Sequence, residues 1–209
     1  MISIDNLPTN HQPNNADFTV ASYRQLIILA LSSYEVADYS SINWGKRFLL
    51  WRHDCDFSLN RSLALAKIES DLGLKSTFFL NPHCEFYNLL ESSQQDLIHN
   101  IFELGHNIGL HFDATFYGTE SENDLNRQVE SEASLLENFL GVRPEAFSFH
   151  NPTSFNLTCE ADTYGGLLNC YSKQFKTKVP YCSDSNGYWR FQRLFDVLEE
   201  AKSPCLQVL

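Results

Sequence analysis

Apolar and polar positions follow two alternating rhythms along this chain. Short apolar runs, too short for helices, read as buried strands: Phe48-Leu49-Leu50-Trp51, Ser76-Thr77-Phe78-Phe79-Leu80, and segments 106–112, 146–149, 167–171 and 179–183. Between them, apolar residues recur at three- and four-residue spacing, the signature of amphipathic helices. One helix is predicted from a cap at Asp17 through Tyr23, Leu26, Ile27 and Leu31. A second, capped by Ser58 or Asn60, carries Leu63, Leu65, Ala66 and Ile68 and stops at Gly73. Further helices are predicted over 92–104, 122–140 and 191–201, the last leading into a strand at 206–209. Strand and helix alternate throughout. That order predicts parallel strands joined by right-handed crossovers, in a doubly wound sheet or a barrel.

The chain has 209 residues, enough for one domain with a sizeable core. Residues 1–16, polar and rich in Asn and Pro, read as a lead-in, and 17–209 as the single domain. A formal net charge of −11 argues against a nucleic-acid partner, which needs a basic face, and against an acidic membrane surface. No apolar run has the length of a membrane span. The six cysteines form no Cys-x-x-Cys pair and several lie in apolar runs, which predicts free buried thiols in a reducing compartment. The N-terminus lacks the pattern of a signal peptide, so a cytoplasmic location is expected. Oligomeric state has no signal here.

Polar residues that look out of place collect at three strand ends. The first is Arg52-His53-Asp54-Cys55-Asp56, where Asp54 and Asp56 share one side if the strand continues. The second is the stretch 105–113, with His111 and Asp113 two apart, and the third is Phe149-His150-Asn151-Pro152. If these ends converge, carboxylates meet imidazoles in a mixture suited to zinc or a similar divalent ion. His53 points to the opposite strand face and reads as packing. His106 reads as a partner for backbone groups, and His11, His83 and His99 as surface residues.

The first two segments, in that order and at that separation, resemble the polysaccharide deacetylase family with NodB homology, most closely its WbmS-like branch from O-antigen gene clusters. The resemblance runs from residue 46 onward and includes 147–152 and 181–190. It implies a distorted (β/α) barrel with a divalent metal, zinc first, on its strand-end rim. Because the chain ends within the last predicted strand, the barrel is expected to be incomplete at its C-terminus, with the proton donor for the leaving amine beyond Leu209. The implied activity is hydrolysis of an acetyl or similar acyl group from an amino sugar, in surface-polysaccharide or O-antigen metabolism. By the same resemblance Asp54 is the general base, and Asp56 and His111 bind the metal. Where the family usually has a second His, this chain has Thr115; His150 or Asp113 would then complete the site. Tyr171, Trp189 and Arg190 are expected to line a carbohydrate substrate. The alternatives are an inactive sugar-binding relative, or a deformylase or O-acetyl esterase on the same metal site.

Overall fold

The structure, a computed structural model, describes residues 15–184, 187–189 and 191–209. Most of the predicted lead-in, with His11, and the expected substrate residue Arg190 lie outside the described residues. A 3-10 turn at Asn15–Phe18 precedes α1 (Val20–Ser33), β1 (Glu35–Val36), β2 (Phe48–Cys55) and α2 (Leu59–Leu72). Then come β3 (Thr77–Leu80), α3 (Ser92–Glu103), β4 (Asn107–Phe112), α4 (Ala114–Tyr117), α5 (Glu122–Leu140) and β5 (Ala146–Phe149). The chain continues through β6 (Thr163–Tyr164), β7 (Leu167–Asn169), α6 (Lys173–Lys178), β8 (Tyr181–Cys182), α7 (Leu194–Glu200) and β9 (Cys205–Val208). Among the described residues no helix is long and apolar enough to cross a membrane.

The strands lie in the order β6-β7-β5-β4-β3-β2-β9-β8, with β1 added beside the start of β2. Pairing is parallel except between β6 and β7. The sheet curls into a half-barrel, and β2 shows why. Its residues alternate between two buried environments, which is why the strand reads as an almost unbroken apolar run. Phe48 and Leu50 enter an interior core with Phe79, Ala146, Cys170 and Cys205, drawn from distant parts of the sheet. Leu49 and Trp51 face outward into a core shared with α1 and α7. A third core lies under α2, α3 and α5.

Several expectations are corrected. Thr19, not Asp17, caps α1, its hydroxyl accepting from Ser22 N–H. Asp17 instead pairs bidentately with Arg193 at 2.6 and 2.7 Å, tying the first turn to the start of α7. The predicted strand 167–171 ends at Asn169, because β7 belongs to a tight antiparallel hairpin with β6. Gly165 in that hairpin lies so close to α5 that a Cβ would collide with the Glu130 backbone. The predicted strand 179–183 shrinks to Tyr181–Cys182, and α4, α6, β1 and β6 are additions.

Gly109 in β4 is a second close approach. A Cβ there would sit 2.5 Å from Cδ1 of Phe79, whose ring fills the interior core. Gly109→Ala is expected to destabilise the chain by about 1–3 kcal/mol, as overpacked cores do. Urea unfolding with an unchanged midpoint would show that Phe79 can move aside.

Candidate metal centre

The site begins with an arginine inside the barrel. Arg52 occupies the interior face of β2 and is only 1% exposed. Its Nη2 donates to both oxygens of Asp54, two residues further along the strand, at 2.9 and 2.7 Å. The guanidinium also lies 4.8 Å above the Phe79 ring. Burial by itself would push the Asp54 carboxyl up; the Arg52 charge, helped by His111, holds it below the usual carboxylate range. Asp54 is therefore an ionised acceptor in a dry setting.

Ser148 connects this pair to the neighbouring strands. It lies beside His111 in the β4–β5 register, its Oγ 2.8 Å from His111 Nδ1 and 3.4 Å from Asp54 Oδ1. The hydroxyl donates to the carboxylate, so it accepts from Nδ1–H. That arrangement fixes the tautomer and leaves His111 Nε2 with a free lone pair.

The lone pair points at a cluster. His111 Nε2 lies 3.2 Å from Asp56 Oδ1, His150 Nδ1 lies 3.2 Å from the same oxygen, and the two nitrogens are 3.2 Å apart. One ligand atom from each of Asp56, His111 and His150 falls within 4.8 Å of the others. Asp56 Oδ1 is buried and accepts no hydrogen bond, despite two imidazole nitrogens at contact distance. An orphaned carboxylate oxygen between two imidazole nitrogens suits a shared cation, which would displace the proton that His150 Nδ1 carries while its Nε2 accepts from Asn151 Nδ2 at 2.9 Å. A carboxylate with two imidazoles is a donor set for zinc and its neighbours, with positions left open.

The other expected site residues lie apart. Asp113 caps α4, its Oδ1 accepting from Thr115 and Phe116 N–H, and is not in the cluster. Thr115 lies in the first turn of that short helix. Tyr171 packs its ring against Phe149 and lines a cavity of about 540 Å³ with Arg52 and Tyr181. Trp189 stacks on Phe18 at 5.3 Å and lines a separate pocket with Tyr23 and His53. His53 lies outside the barrel against Glu69 and Tyr23, and His106 bridges Ser76 and the Ala66 carbonyl. His83 is not a simple surface residue. Its Nε2 is 2.8 Å from Glu132 Oε1, and its ring stacks on Phe116 at 3.5 Å.

Sequence reasoning assigned no role to Arg52, Ser148 or Glu132. Two of them left a signal. Arg52 interrupts an apolar strand in register with Asp54, and Glu132 sits among the core-facing positions of α5 beside Val129 and Ala133.

No family model matches the chain, and no curated protein matches it. Similar solved structures include the Xyl-CE4 domain of a multidomain xylanase from the hindgut metagenome of Trinervitermes trinervoides. That match has 19% identity, covers 54% of this chain and 53% of that one, and has a TM-score of 0.40. This chain thus spans about half the length of that relative. A family 4 acetyl xylan esterase from Clostridium thermocellum, in complex with a cobalt ion, matches at 12% identity over 77% of this chain and 72% of that one, TM-score 0.45. The Streptococcus pyogenes deacetylase PplD, in complex with acetate, matches at 10% identity over 76% and 70%, TM-score 0.49.

Glu132 generates a pH prediction. Burial pushes its carboxyl up to about 8, and burial also pushes His83 down, so the pair is a protonated carboxyl donating to a neutral imidazole. Unfolded, Glu132 titrates in the ordinary carboxylate range. Between that range and about 8 the folded chain binds the extra proton, so stability falls as pH rises through this window. The slope is at most about 1.4 kcal/mol per pH unit. Below about 6.5 the depressed His83 acts with the opposite sign, because the unfolded imidazole binds a proton that the folded one does not, so urea unfolding should show the decline between pH 6.5 and 8, and Glu132→Gln should flatten it there. An equal slope in the variant would remove Glu132 as its source.

Proposed function

We propose that this chain is a metal-dependent hydrolase that removes an acetyl or similar acyl group from an amino sugar. The observation that carries the reading is the orphaned Asp56 Oδ1, faced by His111 Nε2 and His150 Nδ1 beside an Asp54 held ionised by Arg52. Asp56, His111 and His150 are the ligands in this reading, and zinc is the cation their chemistry favours. A divalent cation held there would act as a Lewis acid toward the acyl carbonyl and would lower the pKa of a bound water. Asp54 takes the proton from the attacking water; as the stronger-acid partner of Arg52 it stays ionised until that moment. Ser148 keeps His111 in the tautomer that presents Nε2.

The resemblance to the WbmS-like branch supports an acetamido sugar of surface polysaccharide or O-antigen metabolism as the substrate class. All six cysteines are free, which suits a reducing compartment and supports a cytoplasmic location. Tyr171 lines the cavity on the Arg52 side and is placed to contact substrate there.

The test is metal content followed by acetate release from a panel of acetamido sugars. Asp56→Ala and His111→Ala should each strip most of the zinc, since each removes one of three ligands. Full occupancy in both would sink the metal assignment. His150→Ala should weaken zinc by about tenfold or more; tight zinc in that variant would exclude His150 as the third ligand. Asp54→Asn should keep the metal yet lose turnover by on the order of 10² or more. If Asp54→Asn loses metal as well, Asp54 is a ligand and not the base. Metal binding without turnover of N-acetyl, N-formyl or O-acetyl sugars would favour the sugar-binding alternative.

A further inference from the structure

Asp56 and His150 also line a cleft of about 760 Å³ that extends away from the barrel interior over His83 and Phe116. Three large apolar side chains in this cleft are turned to solvent: Phe57 is 70% exposed, Phe86 63% and Phe116 60%. They are ordered against neighbours. Phe57 and Phe86 pack at 4.9 Å, and Phe116 lies nearly parallel to the His83 ring, 3.5 Å away and 14° from coplanar. Single exposed apolar residues are ordinary on a protein surface. Several aromatics sharing one cleft with a few polar groups mark a ligand surface.

The Phe116–His83 stack is fixed from behind. His83 Nε2 meets the Glu132 carboxyl at 2.8 Å and the Tyr117 hydroxyl at 3.3 Å, while its backbone N–H donates to Asn81 Oδ1 at 2.9 Å. Glu132 is itself almost wholly buried on the core-facing side of α5. A buried carboxyl is an expensive way to anchor a loop residue, and apolar replacements of such pairs are often neutral or stabilising. Its effect is to hold an imidazole, and with it an exposed ring, in one orientation. A ring fixed beforehand loses little freedom when a ligand packs on it.

The chemistry of the cleft selects the ligand. A pyranose presents a face of C–H groups to an aromatic ring and a rim of hydroxyls to hydrogen-bonding side chains. Phe116 offers the ring, and the exposed Thr115 and Asn151 lie in the same cleft for the rim. An acyl chain or apolar peptide would desolvate those polar groups without pairing them.

We propose that Phe116, held flat by the Glu132–His83 pair, is the platform on which a sugar ring of the substrate stacks, making Phe116 a specificity-determining residue and Glu132 and His83 its positioning residues. The proposal rests on the amino-sugar reading above and deepens it.

The test uses the full, zinc-loaded chain. Binding of N-acetylglucosamine and N-acetylgalactosamine, each as monosaccharide and as disaccharide, is measured by titration calorimetry alongside zinc content. Phe116→Ala should weaken the tightest-bound sugar by about tenfold, with zinc content unchanged, and Phe116→Trp should restore it. Glu132→Leu should produce the same loss without touching the cleft surface, while Glu132→Gln, which can still hydrogen-bond His83, should lose less. Where turnover is measurable, the loss should fall on KM and spare kcat. Wild-type affinity in Phe116→Ala overturns the proposal, as does a loss in Glu132→Leu with none in Phe116→Ala. A chain that holds zinc but binds none of the four sugars also overturns it, and leaves the metal centre standing. A chain that holds no zinc sinks the functional reading first.

Discussion

A guanidinium sealed inside a barrel needs its counter-charge at hand, and Arg52 finds it two residues along its own strand. Removing either partner would leave a buried charge uncompensated, at a typical cost of about 3–5 kcal/mol. The geometry of the candidate metal centre follows from this one pair. Because Nη2 grips both oxygens, the Asp54 carboxylate has a fixed orientation, and one of those oxygens faces Ser148. The serine proton points there, so its lone pairs face His111. His111 in turn exposes a bare nitrogen toward Asp56. Four side chains on β2, β4 and β5 thus have their donors and acceptors set in sequence from a single ion pair.

The division of labour between Asp54 and Asp56 comes from the same cause. Both follow one strand with one residue between them, and both lie against His111. Asp54 is tied into the interior by Arg52, its side chain 12% exposed. Asp56 lies just past the end of β2, is partly exposed, and keeps one oxygen with no hydrogen-bond donor. Position along a strand, more than residue type, separates an anchored carboxylate from one with an oxygen left unpaired.

The fold was legible wherever a long periodic segment had a clear stop. Helix α5 from Glu122 to Leu140, ended by Gly141, and α2, opened by Ser58, stand where the pattern puts them. Legibility failed where short polar side chains compete for backbone groups. Asp17 and Thr19 are both plausible caps, and only the pairing of Asp17 with the distant Arg193 leaves Thr19 to do it. Asp113 and His150 both end strands, and the resemblance offers His150 first and Asp113 second as the third ligand. A local hydrogen bond to the next turn claims Asp113, while His150 has no helix to cap and reaches the cluster. Arg52 was in plain view but was read as part of a polar tail. That it lies inside the barrel depends on curvature, which no single strand reports. The stacking of Trp189 on Phe18, far away in the chain, cannot be read from its neighbours in sequence.

The half-barrel leaves the sheet with two ends, and an open parallel sheet ordinarily invites a second chain to add a strand there. Among the described residues the outermost strands are β6, Thr163–Tyr164, and β8, Tyr181–Cys182, with β1 as a further edge beside β2, each only two residues long. So short a run of backbone donors and acceptors gives an incoming strand almost nothing to copy. The longest strand of the sheet, β2, is flanked by β3 and β9 well inside it. The curl therefore need not close for the molecule to resist self-templated aggregation: its edges are too brief to act as seeds.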